Sequence, residues 1–310
     1  NAGGQPVSGG GILIAILFGN GNFKVVYTAT DLAGNVSKCT TAVNILPRIP
    51  ELTVTPIQPT SNSTPPVTQY SDNVQLKVTI PGGVAVCNGA NGTVTFKMSG
   101  GGTVTLGTST FVPAVNGVDL EAVLIVPLVE GSPNAVYAPG LKNVSISFGG
   151  FTYSTVINLL VADKSLLVKQ EDAWVDYTGN TQIFTNSPYS STANVVLKAN
   201  IHDISVPASP ANPAYDSSPG NIKNAKVKFI VKTTGGSVVK NSGWLSVSTL
   251  LTPGDLRSGT LSYSFSTSIG SSSSRNYTVD VYVGYDATSH SSSGYYIGYG
   301  SANITILRPA

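Results

Sequence analysis

Val74-Gln75-Leu76-Lys77-Val78-Thr79-Ile80 places an apolar side chain on every second position and a polar one between. A period of two belongs to a strand with one face buried and one wet. The same pattern returns further along as Val196-Leu197-Lys198-Ala199-Asn200-Ile201. Around both copies the neighbours echo as well. Thr93-Val94-Thr95-Phe96 followed by Gly100-Gly101 has its counterpart in Lys226-Val227-Lys228-Phe229 followed by Thr234-Gly235-Gly236. A strand pattern that recurs with its flanking turns predicts two related β modules in series.

Working outward, Val94, Phe96 and Met98 alternate, and Ser99-Gly100-Gly101-Gly102 turns that strand into Thr103 to Leu106. Leu120 to Leu128, Val144 to Phe148 and Thr152 to Leu160 read as further strands. With Leu52 and Val54 they make about seven, with turn signals roughly every ten residues, as in an antiparallel sandwich. Later strands are expected at Leu245 to Leu250, Gly259 to Phe265, Tyr277 to Tyr285 and Ile297 to Leu307. A loop over Pro207 to Lys223, rich in Pro, Ser, Asn and Asp, and serine-rich tips at Ser271 to Ser274 and Ser289 to Ser293 complete that part.

Before Pro47 the pattern differs. Phe23, Val25, Tyr27 and Ala29 alternate, Asp31 to Asn35 is a turn, and Cys39, Thr41, Val43 and Ile45 alternate again, which predicts a hairpin. Gly11 to Phe18 is expected to be the strand before it. Three strands leave apolar surface bare. Either earlier strands belong to preceding sequence or another chain supplies them. Pro47-Arg48-Ile49-Pro50 is a stiff linker. The expected organisation is a partial module at 1–48, a sandwich at 49–162 and a second, with extended loops, at 163–310. The fold class is all-β, tandem immunoglobulin-like antiparallel β-sandwiches.

Composition agrees. Of 310 residues 41% are hydrophobic and 10% charged, with 33 Gly and 19 Pro. Ordinary soluble proteins carry about 25% charged residues, so long solvated helices are not expected. A net charge of +2 without a Lys/Arg cluster sets nucleic acid aside as a partner. The eight-residue apolar run Gly11 to Phe18 is shorter than the ~20 residues a membrane helix needs. Asn1 reads as the interior of a longer chain. Cys39 and Cys87 sit in apolar, strand-like stretches and are expected to be buried thiols, an inter-module disulfide being the weaker alternative; no metal-ligand spacing joins them to a histidine.

Resemblances come in at this level. Tyr27-Thr28-Ala29-Thr30-Asp31, Gly34-Asn35 and Cys39 resemble the C-terminal half of a hyalin repeat. Tyr70-Ser71-Asp72 ahead of an alternating strand, with Thr93 to Phe96, resembles bacterial immunoglobulin-like repeats. Glu171-Asp172-Ala173, Tyr177 to Asn180, Asp203-Ile204 and Pro219-Gly220 resemble a module that follows such repeats in large bacterial surface proteins. These resemblances imply an extracellular spacer, adhesin or filament component at the bacterial cell surface, with no catalytic residues carried over.

The search for chemistry is consistent with a non-enzyme. His202 and His290 are the only histidines, expected at the surface or a sheet edge. His202 and its neighbour Asp203 must point to opposite faces of a strand. No nucleophile elbow or phosphate loop occurs. Acids gather early in the third segment at Glu171, Asp172, Asp176, Asp203 and Asp216. Calcium takes six to eight oxygen ligands, and Asp172, Asp203 and Asp216 are the residues to hold it; hydrogen-bonding turn acids are the alternative. No other cofactor is implied. Tyr282, Tyr285, Tyr295, Tyr296 and Tyr299 could form a sugar platform or pack across strands. The expected role is a non-catalytic stalk or filament component, its partners neighbouring modules and other copies by strand exchange. The alternatives are a carbohydrate- or protein-binding module, or an accessory region of a larger secreted enzyme.

Overall fold

The computed structural model describes residues 21–45, 49–57, 63–83, 92–129, 136–149, 161–206, 218–286, 291–292 and 294–310. The strands expected at Gly11–Phe18 and Thr152–Leu160, together with Cys87, Asp216 and His290, lie outside the described residues.

The hairpin is β1 (Gly21–Thr30) and β2 (Val36–Ile45), in register from Gly21↔Ile45 to Thr30↔Val36. Its turn is held by Asp31, whose carboxylate accepts from the Ala33 and Asn35 amides at 2.9 and 2.8 Å and from the Asn35 side chain at 2.7 Å. Gly34 supplies the left-handed conformation there, φ 85°. Cys39 is exposed and free, which corrects the buried thiol expected from its apolar alternation. A two-stranded ribbon has no second layer of its own to bury either face.

The first sandwich is built from β3 (Glu51–Pro56), β4 (Val67–Gln69), β5 (Asn73–Ile80), β6 (Thr93–Ser99), β7 (Thr103–Thr110), β8 (Val112–Pro113), β9 (Leu120–Pro127), β10 (Gly140–Gly149) and β11 (Lys164–Lys169). One sheet runs β3-β5-β9-β8 and the other β4-β11-β10-β6-β7. The second is built from β12 (Glu171–Tyr177), β13 (Gln182–Phe184), β14 (Thr192–Asp203), β15 (Lys226–Thr233), β16 (Val238–Asn241), β17 (Leu245–Ser246), β18 (Thr249–Leu250), β19 (Ser258–Ser268), β20 (Ser274–Val283), the short pair β21 (Tyr285–Asp286) and β22 (Ser291–Ser292), and β23 (Tyr296–Leu307). Its main strands run β12-β14-β19-β18 and β13-β23-β20-β15-β16.

The two orders are the same order. In immunoglobulin lettering both read A-B-E-D against G-F-C with a C′ edge. Even the parallel pair at the other edge recurs, β4 on β11 and β13 on β23. The echoing sequences therefore occupy equivalent places: β5 and β14 are both B strands, β6 and β15 both C strands.

Alternation builds each core. In β5 Val74, Leu76, Val78 and Ile80 are at most 1% exposed and belong to one buried cluster with Val94, Phe96 and Met98 of β6. Burying each such side chain contributes about 1.5–3 kcal/mol, against roughly 1–2 kcal/mol per residue to order the backbone. In the second sandwich Val195, Leu197, Ala199 and Ile201 play the same part against Val227, Phe229 and Val231.

One pairing differs between the two. β12 joins β23 through Glu171 and Asp172, then crosses to join β14 through Ala173 to Tyr177, so the second pair of sheets is stitched together. Two inward glycines of β23 permit it. A Cβ on Gly298 would strike the Ala173 carbonyl, and one on Gly300 would lie 2.9 Å from Val175 Cβ. β11 pairs with β10, not with the strands after it, so the chain passes from one sandwich to the next at Gln170 rather than at 163. Residues 163 and 164 lead into the last strand of the first sandwich.

Candidate functional site: a buried joint and the groove beside it

β11 ends at Lys169 and β12 begins at Glu171, so Gln170 alone links them. β4 runs parallel to β11, and the Tyr70 amide extends that ladder to the Lys169 carbonyl at 3.0 Å. This delivers Tyr70 to the boundary. The next residue, Ser71, has φ 78°, a conformation costing a non-glycine residue about 1–3 kcal/mol unless its surroundings fix it. They do: its amide donates to Leu128 O, and its one hydroxyl proton lies between Ser218 O at 2.9 Å and the Glu171 carboxylate at 3.2 Å.

Tyr70 is 1% exposed and stands edge-on to Tyr295 and Tyr296, with ring centroids 4.9 and 5.7 Å away. Its hydroxyl accepts from the Asn224 amide at 3.0 Å, and burial pushes its pKa up to about 12. Tyr296 is wholly buried and donates to Asp203 at 2.8 Å; burial and the adjacent carboxylate raise its pKa well above the usual value. Asp203 also accepts from the Gly220 amide at 2.9 Å and from the Ser205 amide and hydroxyl. Gln170 donates to the Tyr296 and Gly294 carbonyls at 3.0 and 3.2 Å. The apolar core is continuous through this joint.

The acids expected to gather there separate. Asp203 is buried with four donors on its two oxygens. Asp172, on a different strand, is half-buried and accepts from the Gln69 side-chain amide at 2.9 Å. Asp176 is exposed, and Glu171 is buried, accepting from Ser71 and the Asp172 amide. Among the described residues no three His, Cys, Asp or Glu side chains group as a metal site. The stretch from Pro207 to Lys223 is expected from its composition to be a loop, and residues 207–217 lie outside the described ones. Ser218, Gly220, Asn221 and Ile222, at its end, are buried in the joint.

His202 corrects another expectation. It is only 9% exposed, stacked on Trp174 with centroids 3.9 Å apart, and shares a 2.8 Å hydrogen bond with Ser258. Strand register alone aligns the three, Trp174↔His202↔Ser258, while Asp203 points the other way as alternation requires. Asp176 lies 3.8 Å from Nε2. The types resemble a nucleophile triad, but that distance is beyond a hydrogen bond and Ser258 is itself buried. Burial lowers the His202 pKa, with Asp176 opposing.

The tyrosines divide. Tyr295 and Tyr296 belong to the joint. Tyr282 and Tyr299 pair across β20 and β23, centroids 5.2 Å apart, on the outer sheet face. Tyr299 is 56% exposed and donates to Asp280 at 2.8 Å; Asp280 also holds Lys232 at 2.7 Å. Further along the same row Lys228 lies over Trp244, 4.4 Å from the ring centroid. Tyr282, Tyr285, Tyr299, Ile297 and Asp172 line a groove of about 500 Å³. A second hollow of about 680 Å³ shares Asp172 and Ile297 and adds Gln69, Lys169 and Gln170.

Among the described residues no helix is long and apolar enough to cross a membrane. No family model matches the chain, and no curated protein does. Among solved structures, a tetra-tandem repeat from the extending region of a large adhesion protein is 17% identical, with TM-score 0.34 over 92% of this chain and 56% of that one. Rst D1-D2 is 13% identical, TM-score 0.33, over 84% and 99%. An ICAM-5 D1-D4 ectodomain fragment is 11% identical, TM-score 0.35, over 93% and 62%. This chain thus spans little more than half of the adhesion repeat. The immunoglobulin-like assignment rests on strand order, repeated in both sandwiches.

Proposed function

We propose that this chain is a non-catalytic, extracellular stretch of a bacterial surface protein that serves as a stiff stalk or filament segment carrying adhesive surface. The observation that supports it is the joint. One linker residue, the Tyr70 ring against Tyr295 and Tyr296, and the Ser71 and Asn224 hydrogen bonds couple the two sandwiches, and a spacer transmits position only if its joints resist bending. The hairpin, with its resemblance to part of a hyalin repeat, is read as belonging to a further module of the same stalk. Small-angle scattering of the chain tests this reading. An extended particle is expected; a compact globule would reject it.

A further inference from the structure

We propose that the groove beside the joint binds an extended neutral oligosaccharide. The inference deepens the adhesive half of the function above and gives it a surface.

Four observations carry it. The two hollows share Asp172 and Ile297 in their linings and so adjoin at that point, which offers neighbouring places for successive sugar rings. Its two halves differ in chemistry. One presents tyrosine rings, with Tyr299 more than half exposed; the other presents Gln69, Lys169, Gln170 and Asp172. A pyranose has an apolar C–H face and a rim of hydroxyls, so it needs a flat ring beneath and donors and acceptors at the side. Asp172 is pre-set for this: Gln69 holds Oδ2 at 2.9 Å, and Oδ1 makes no hydrogen bond among the described residues. Lys169 and Asp172 are the only charged residues in the lining and cancel, which favours a neutral ligand.

The strand pairing argues against a peptide in the same place. An added strand needs an unpaired edge. Along the groove β12 is paired with β23 through Glu171 and Asp172 and with β14 beyond them, and at Gly298, where β12 leaves β23, the Ala173 carbonyl already stands against the β23 backbone. Recognition must come from side chains. The sites named earlier as a sugar platform shrink accordingly, because Tyr295 and Tyr296 are committed to the joint.

The test titrates cellohexaose, maltohexaose, mannohexaose and chitohexaose into the whole chain, followed by calorimetry and by tyrosine fluorescence. At least one is expected to bind. Tyr299→Ala is expected to weaken that binding by about tenfold or more, Tyr299→Phe to preserve it, and Asp172→Asn to weaken it. Tyr189→Ala, exposed and outside the groove, is expected to change nothing. Circular dichroism of each variant checks folding; the exposure of Tyr299 makes its replacement safe for the fold. Failure of all four sugars overturns the proposal, as does binding that survives Tyr299→Ala. Binding of hyaluronan alone would overturn the neutral assignment. None of these results bears on stalk stiffness, which scattering measures separately.

Discussion

Replacing Tyr70 by alanine removes the centre of the joint while leaving both sheets intact. Tyr70 lies after β4, outside either core strand set, yet is 1% exposed. Truncating a buried aromatic to alanine costs about 3–5 kcal/mol. Within that sum each edge-on contact with Tyr295 and Tyr296 supplies roughly 0.5–1.5 kcal/mol. The lost hydroxyl strands the Asn224 amide donor, which alone costs about 1–3 kcal/mol. Because the joint, rather than one core, takes the loss, the expected signature is uncoupling. Wild-type thermal unfolding should show the two sandwiches melting together. Tyr70→Ala should split the calorimetric trace, with the second sandwich melting ~10 °C lower. Tyr70→Phe, which keeps the ring, should sit between the two. A Tyr70→Ala trace superimposable on wild type would refute the coupling.

Two further outcomes follow from the same geometry. Asp203→Ala leaves the Tyr296 hydroxyl, Gly220 amide and Ser205 donors buried without an acceptor, so the second sandwich should lose more than about 3 kcal/mol in urea unfolding; a loss under about 1 kcal/mol would contradict the network. His202 has a folded pKa lowered by burial, so its neutral form is the one the fold favours. The stability it contributes is complete above its unfolded pKa of about 6.5 and is lost as pH falls below that; His202→Gln should flatten the pH dependence of unfolding between about pH 7 and 5, and an unchanged slope would refute the assignment.

The sequence made the strands legible because alternation is a local property. β5 and β6 could be read residue by residue, and the repetition of β5 in β14 announced the second sandwich. The joint was not legible, because its members meet from distant parts of the chain: Ser71 with Ser218, Tyr70 with Asn224 and Tyr296. Gln170 carries no turn signal, since the chain runs from β11 into β12 with no reversal, and so the passage between sandwiches was placed too early. Cys39 alternates like a core residue, but alternation marks a face without saying that anything covers it. The sequence pattern leaves Tyr295 and Tyr296 between a sugar platform and cross-strand packing; Gly298 and Gly300 let β12 approach β23, and Tyr296 is buried. Those glycines were the available clue, as inward glycines in a strand mark a close backbone approach.

The central claim, a stiff joint at Gln170, is most directly tested by pulsed electron spin resonance. Spin labels at Thr108→Cys in the first sandwich and Ser264→Cys in the second, with Cys39 and Cys87 replaced by serine, report the distance between the two bodies. A single narrow distribution that broadens in Tyr70→Ala is the expected result. A broad distribution in the otherwise native chain would contradict the account.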